Sequence, residues 1–486
     1  MRRNASSVVP SSLKALSMAL AGIAMVTGVS TAAAMDDSVD GLLEKLKSRG
    51  VLTEQEYEEM KTERDAQKME ARAERRKRAM REAIEVEKEE KAKEDAKTTL
   101  VGRFRDGFSF ESGDKKNSIA LSGRVHGDYR HFSVNSTNAN TANTFDVRRA
   151  YIGVSGKIAN DFTFDVTADV AQTAAPQLDV AWANIQISPA AQFRIGQFKM
   201  PMSIEELTSS RFIDFQERSF VNAQVPAKER GAMIHGTPYP GVFYGLAVSN
   251  GAGKNNNESS STVDNKDVIG RVGLNLAEIT GNKDLVLHAA IAYSDGEIPS
   301  TSSVSLRTEG RGLTFFNPTI TSSSGSIDRT RKHWEASLAF GRFKFQTEQM
   351  YASYSGVASG THFEREVDLR YLEALWMITG EQYADAYRGG AYGAIKPLRP
   401  FAMGSGNPGA WELGVRLSEA DATEFAAVSG QTREARGVTV GVKWIPVTNV
   451  RMYLNVTRTS FDTPVTVVGG TTTGETAVTF RTGLYF

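Results

Sequence analysis

The chain has 486 residues with 57 basic and 57 acidic side chains, so its formal charge at neutral pH is zero. That balance excludes a protein held to nucleic acid by bulk positive charge. Cysteine is absent, which removes disulfides, thiolate metal sites and thiol nucleophiles together, while 40% hydrophobic residues supply the apolar surface a large ordered domain needs.

In chain order, Arg2, Arg3 and Lys14 precede an apolar run from Ala15 to Val29, and Ala32, Ala33 and Ala34 follow it. A basic start, an apolar middle and small residues at the end form a secretory signal, with cleavage expected after Ala34. The run is about 15 residues, short of the ~20 that cross hydrocarbon. No later stretch reaches that length, so any membrane insertion is expected as a closed barrel.

Residues 35–98 read as a periplasmic helical or coiled-coil arm. Val39, Leu42, Leu43 and Leu46 recur at helical spacing, and Gly50 is placed to end that helix. Thr53 with Glu56 three residues on is a capping box for a second helix. That helix is laced with charge of both signs and carries only a sparse stripe of Met69, Ala73, Met80, Ala83 and Ile84. A coiled-coil arm and a single solvated helix therefore both remain open.

From residue 99 to 486 the period changes from helical to two. Phe162, Phe164, Val166, Ala168 and Val170 alternate with Asp161, Thr163, Asp165, Thr167 and Asp169, so the apolar groups share one face of a strand. The pattern recurs through Trp411, Leu413, Val415 and Leu417, through Val438, Val440, Val442 and Trp444, and through Val450, Met452, Leu454 and Val456. Strands of about ten residues match a tilted membrane crossing. Tight connections at Ala159-Asn160 and 446–449 alternate with long polar ones at 251–265, 317–330 and 420–433, as periplasmic turns alternate with outer loops. Tyr129, Phe132, Tyr293, Phe461 and Tyr485 are placed for an interfacial girdle. Val478, Phe480, Leu484 and the terminal Phe486 share a face of the last strand, an ending that outer-membrane barrels present to their assembly machinery. The fold expected is an all-β transmembrane barrel of about 16 antiparallel strands, with 18 as the second choice.

If the apolar phase faces lipid, the opposite phase lines water, because Lys or Arg at the lipid midplane costs about 2–4 kcal/mol. This turns Arg124, Arg149, Arg194, Arg271, Arg416, Lys443, Arg451 and Arg481 inward, together with Asp128, Asp161, Asp165, Asp169 and Glu412. Guanidinium forks match oxyanion oxygens, so the wall is read as anion-binding; mutual pairing of opposite charges is the competing account. Residues 200–230 break the strand rhythm. Ser203 and Glu206 make another capping box, and Ile204, Leu207, Phe212 and Phe215 give a short amphipathic pattern, so a constriction loop is expected here. It carries Arg211 and Arg218 beside Glu205, Glu206, Asp214 and Glu217.

The run Gly196-Gln197-Phe198-Lys199-Met200-Pro201-Met202-Ser203, continued by Glu205 to Arg211 and by Glu217-Arg218-Ser219, resembles the phosphate-selective porins of Gram-negative outer membranes, the porin O and porin P family. Trp376 to Glu381, Gly389 to Gly393 and Gly409 to Arg416 resemble it as well. The resemblance spans roughly residues 115 to 486. It implies a 16-stranded barrel, usually trimeric, whose inward loops bear Arg and Lys and pass phosphate or polyphosphate, with Arg211 and Arg218 at family-like positions. The partners expected are outer-membrane lipid, the barrel assembly machinery acting on the strand that ends in Phe486, two further copies in a homotrimer, and small anionic solutes. No nucleic acid and no cofactor are expected.

The function read is an outer-membrane porin for passive diffusion with anion preference. A structural barrel that anchors the helical arm is the alternative. An enzyme is not expected: no Gly-x-Ser-x-Gly elbow, His-Glu-x-x-His pair or phosphate-cradling loop occurs, and the six His show no ligand spacing. His126 and His288 fall on strands as lumen or girdle residues.

Overall fold

A computed structural model describes residues 39–104, 107–135, 143–171, 177–256 and 266–486. The secretory signal lies outside them, as does most of 251–265. The chain separates into a compact unit ending at Glu94 and another running from Asp95 to Phe486.

In the first unit a helix over 39–48 (α1) ends at Gly50, whose φ of 70° is left-handed. A second helix, α2 (Glu54–Thr98), starts on the capping box: Thr53 Oγ1 accepts from the Glu56 amide at 3.3 Å, and Glu56 accepts from the Thr53 amide at 2.9 Å. Asp40 of α1 accepts from Lys68 of α2 at 2.7 Å and pairs with Arg64. The Lys68 bond in turn holds the Asp40 carboxyl below its ordinary range. Beyond this contact α2 is polar all round and leaves Met69, Met80 and Ile84 exposed. No described helix is long and apolar enough to cross a membrane.

The second unit is a closed barrel of 16 antiparallel strands. They are β1 (Ser118–Phe132), β2 (Thr144–Ile158), β3 (Phe162–Asp169), β4 (Gln177–Ser188), β5 (Ala191–Lys199), β6 (Lys228–Tyr239), β7 (Val242–Ser249) and β8 (Asp267–Asn275). The sheet continues with β9 (Leu285–Ser303), β10 (Thr319–Phe340), β11 (Phe343–Ala358), β12 (Thr361–Met377), β13 (Ala410–Asp421), β14 (Glu434–Val447), β15 (Val450–Val467) and β16 (Gly470–Tyr485). Each pairs with its predecessor, and β16 closes on β1 from Ala477 opposite Phe132 to Tyr485 opposite Arg124. Two further strands, Leu100–Phe104 and Phe108–Ser112, form a hairpin on the lower part of β1, opposite Ile119 and Leu121. At the seam Phe486 and Gly123 exchange backbone bonds of 3.1 and 2.7 Å. A side chain on Gly123 would run into the Phe486 ring, so glycine there makes room for the terminal aromatic.

The period of two produces the wall directly. Val415, Leu417, Val438, Val440, Leu454, Val456, Phe480 and Leu484 are exposed outward, while their alternating neighbours Arg416, Thr439, Asn455 and Arg481 are buried inward. Tyr129 and Tyr293 stand on the outward face. Phe132, Phe461 and Tyr485 do not: they are buried inside, because their strand positions fall on the inward phase.

Connections at the end that carries the chain's C-terminus are mostly tight. Three residues, 159–161, turn β2 into β3, with Ala159 and Asn160 both at positive φ. Two expectations about the connections fail. Residues 317–330 are no loop, since most belong to β10, and 359–360 and 468–469 are tight turns at the opposite end. The longest connection, 378–409, lies at the tight-turn end and folds inward: Tyr383 donates to Glu412 at 2.9 Å, and Tyr392 hydrogen-bonds Ser337 at 2.7 Å. Polar wall residues on β10 and β13 give it partners that open solvent would not hold in one place.

Two more segments, 200–227 and 304–318, fold inward from the other end. Apolar side chains of all three, among them Met202, Ile204, Phe215, Phe220, Phe315, Tyr383 and Tyr387, pack with inward wall residues into two clusters, so the core of this barrel lies in its lumen.

Replacing Val440, 54% exposed on the outward face, by Arg is expected to cost about 2–4 kcal/mol of folding free energy in lipid vesicles. Equilibrium unfolding checks this, with Val440→Leu as a near-neutral control; equal stability of the two variants places Val440 away from lipid.

Candidate functional site

The inward phase of 16 strands concentrates charge in a confined lumen, and its pairing decides what the lumen can bind. Most lumen cations of the wall meet carboxylates, some brought in by the folded segments and some from neighbouring strands. Glu217 stands 3.1 Å from Arg130, 3.3 Å from Arg148 and 2.8 Å from Arg481. Asp214 takes Lys344 at 2.6 Å, and Lys443 pairs with Glu412 at 2.7 Å. Arg416 is held by Glu205 at 3.2 Å and by Glu309 of the 304–318 segment at 2.9 Å. Arg271 pairs with Glu335 and donates to the Gly390 carbonyl at 3.1 Å.

The segment root is fixed in the same way. Ser203 caps a single helical turn, Ile204–Leu207, by accepting from the Glu206 amide at 3.1 Å, and Lys199 donates to the carbonyls of Leu207 and Thr208. Arg218 bonds the Glu205 carbonyl at 3.0 Å and pairs with Glu206 at 3.1 Å.

Another part of the lumen differs. Arg124, Arg149, Arg194, Arg211 and Arg451 have no carboxylate within ion-pair distance among the described residues. Arg124 lies over the Tyr151 ring at 4.0 Å and donates to Ser210 at 2.5 Å. Arg194 lies over Trp182 at 4.2 Å, and Arg451 over Phe212 at 4.7 Å. Arg124, Arg149 and Arg451 are buried and Arg194 half-buried, and each has a buried guanidinium nitrogen without a hydrogen-bond partner. Aromatic faces support these cations sideways without neutralising them. Ordered guanidinium donors left without acceptors are a site for oxyanions.

Above this face a vestibule of 880 Å³ opens toward the loop end, and its lining Arg148, Arg149, Arg307, Arg311, Arg329, Arg331, Lys228 and Lys254 outnumbers Glu206, Glu217, Glu229 and Glu309. Below it a cavity of 420 Å³ is bordered by Asp165, Trp182, Arg194, Lys199, His235, Phe243 and Arg271.

The ten basic residues singled out from sequence thus divide. Arg124, Arg149, Arg194, Arg211 and Arg451 stand unpaired, whereas Arg218, Arg271, Arg416, Lys443 and Arg481 are held in ion pairs. Of the acidic wall residues, Asp128, Asp169 and Glu412 are buried inside and Asp165 is half-buried, bonded to Thr167 at 2.7 Å. Asp161 instead sits exposed in the turn before β3, where the strand has not yet begun. His126 and His288 are both buried inward. Reasoning from alternation missed Arg148, because a bulge opposite His126 and Gly127 lets two consecutive arginines face the lumen. The adjacent pair Arg148-Arg149, which strict alternation cannot place, was the available signal.

A family profile described as "Phosphate-selective porin O and P" matches residues 119–464. Porin O of Pseudomonas aeruginosa is 22% identical over 382 residues, covering 71% of this chain and 83% of that protein. Among solved structures, the anion-selective porin from Comamonas acidovorans is 12% identical and covers 76% of this chain and 100% of its own, with a TM-score of 0.48. The outer membrane channel DcaP of Acinetobacter baumannii is 10% identical over 76% of this chain and 97% of its own, also at 0.48.

Substituting Glu217 by Ala leaves Arg130, Arg148 and Arg481 without their shared counter-charge, and breaking a buried pair in this way costs about 3–5 kcal/mol. Equilibrium unfolding is expected to show that loss, and limited proteolysis to show faster cleavage within 200–227; unchanged values in both place the anchoring elsewhere.

Proposed function

This chain belongs to the phosphate-selective porin O and P family, and on that premise we propose that its unpaired arginine face binds small oxyanions and passes them through the lumen of an outer-membrane porin. The observation that carries the reading is the division of the lumen. Carboxylates of the folded segments and of the wall neutralise most lumen cations, while Arg124, Arg149, Arg194, Arg211 and Arg451 have no carboxylate partner among the described residues. Most vestibule cations are already paired, with Glu206, Glu217, Asp179 or Asp267, so an anion gains unclaimed donors only on reaching the five unpaired arginines, and several of them in succession let it move on before any one holds it tightly. Phosphate, with more oxygens and charge than chloride, engages more than one guanidinium at a time. In this reading residues 200–227 form the constriction, with Arg211 contributed by the segment itself. Arg218 holds the segment together. Three copies assemble as a trimer, and the strand ending in Phe486 presents the chain to barrel assembly machinery.

The 45-residue charged helix α2 favours a second role beside conduction, a periplasmic tether. Removing residues 36–97 then abolishes tethering to the periplasm and leaves conductance intact.

Single-channel recording of the full chain in planar bilayers tests the conduction reading. Phosphate added to chloride solution is expected to reduce chloride current in the wild type. Arg211→Ala weakens that block about tenfold or more, the equivalent of one charge-assisted hydrogen bond. Cation-selective current, or phosphate block that survives in both Arg211→Ala and Arg124→Ala, overturns the assignment.

A further inference from the structure

Beneath the root of the 200–227 segment, β10 and β11 place two carboxylates directly opposite each other on the inward face: Glu335 is the register partner of Glu348, and both are buried. Like charges facing across a strand pair are destabilising unless something between them compensates. Arg271 compensates Glu335. Glu348 receives only neutral donors on one oxygen, the Tyr371 hydroxyl at 2.6 Å and the Glu205 amide at 3.0 Å.

His333, two residues before Glu335 and on the same face, completes the group, whose ligand atoms all lie within 4.8 Å of one another. Its Nε2 is 2.8 Å from Glu348 Oε2 and donates to it. Nδ1 is then the lone-pair nitrogen. It is buried without a hydrogen-bond partner and faces Glu335 Oε2 at 3.7 Å. Two acceptors confronting each other across that gap are unfavourable, and the gap is too long for a proton to bridge as a hydrogen bond. A metal ion about 2.1 Å from each atom spans it at an open bond angle. Two carboxylates against one guanidinium also leave negative charge for a cation to neutralise. Neighbouring His288 does not compete for the ion: its Nε2 is committed to Glu335 at 3.0 Å and its Nδ1 accepts from Tyr387 at 2.7 Å.

We propose that His333 Nδ1 and Glu335 Oε2 bind a divalent transition metal of the zinc class, with Glu348 orienting the imidazole from its Nε2 side. An imidazole nitrogen with a carboxylate suits zinc, cobalt or nickel better than calcium or magnesium, which need a larger all-oxygen shell. Two protein ligands leave the remaining coordination positions to water. The same carboxylates accept from the amides of Ile204, at 2.7 Å, and Glu205, at 3.0 Å. Metal binding therefore acts on the root of the inward segment, at the opposite face of the lumen from the unpaired arginines.

The test is titration of the purified full-length protein, in detergent and cleared of metal by chelator, with Co²⁺, whose visible absorption reports direct nitrogen and oxygen ligation. One Co²⁺ per chain is expected, displaced by Zn²⁺. The isosteric Glu348→Gln is expected to bind at least tenfold more weakly, His333→Ala to lose the visible band, and His235→Ala to bind as the wild type does. Heat-shifted migration on gels shows which variants are folded barrels, and only those are compared. A folded wild type that takes up no stoichiometric Co²⁺, or a Glu348→Gln protein that binds with unchanged affinity, overturns the site. The readout does not depend on conductance, so its failure is separable from failure of the porin reading.

Discussion

The structure depends on one constraint: a strand that separates lipid from water must send alternate side chains to opposite solvents. Many ionisable groups of the wall are thereby turned to the lumen, where charges share a narrow space and little bulk water. Such an interior is stable only if most of its charge is compensated from within. The barrel supplies that compensation by folding its own connections inward, with Asp214, Glu217, Glu205 and Glu309 carried to cations the wall strands already present. Packing follows from pairing, since the same segments bring Phe215, Phe220 and Phe315 to the lumen's apolar clusters.

Function arises where compensation stops. With a net charge of zero, any anion preference of the lumen has to be local, and mutual pairing of opposite charges was the competing account. Cancellation is instead partial. Most lumen cations, Arg130 of β1 and Arg148 of β2 among them, are neutralised, and Arg124, Arg149, Arg194, Arg211 and Arg451 are not. A neutral protein thus carries a cationic path, which no count of charged residues reveals.

What the sequence made legible was set by the physics of the wall. Alternation in segments such as 411–417 and 438–444 was enough to derive inward and outward faces, and hence the inward turn of Arg416, Lys443 and Arg481. The seam was legible too, because Phe486 continues the apolar face of β16. Where alternation breaks, inference broke with it, at the bulge that turns Arg148 inward and at Asp161, which precedes its strand; Phe132, Phe461 and Tyr485 were given girdle positions against an alternation that holds and turns them inward. Loop-like composition misled at 317–330, where Ser and Thr occupy strand positions near the rim and need no apolar partner. Above all, pairing was invisible. Arg218 and Arg211 stand seven residues apart in one segment, yet one is spent on Glu206 and the other is free. That difference is decided by contacts between residues distant along the chain.

The most direct test of the divided lumen is to locate anions in it. Crystals of the full-length protein soaked in bromide or arsenate, with anomalous scattering used to find the heavy atoms, are predicted to show density between Arg124, Arg211 and Arg451 and none at Arg416 or Arg481. Anions at the paired arginines, or an empty arginine face under the same soak, contradict the account.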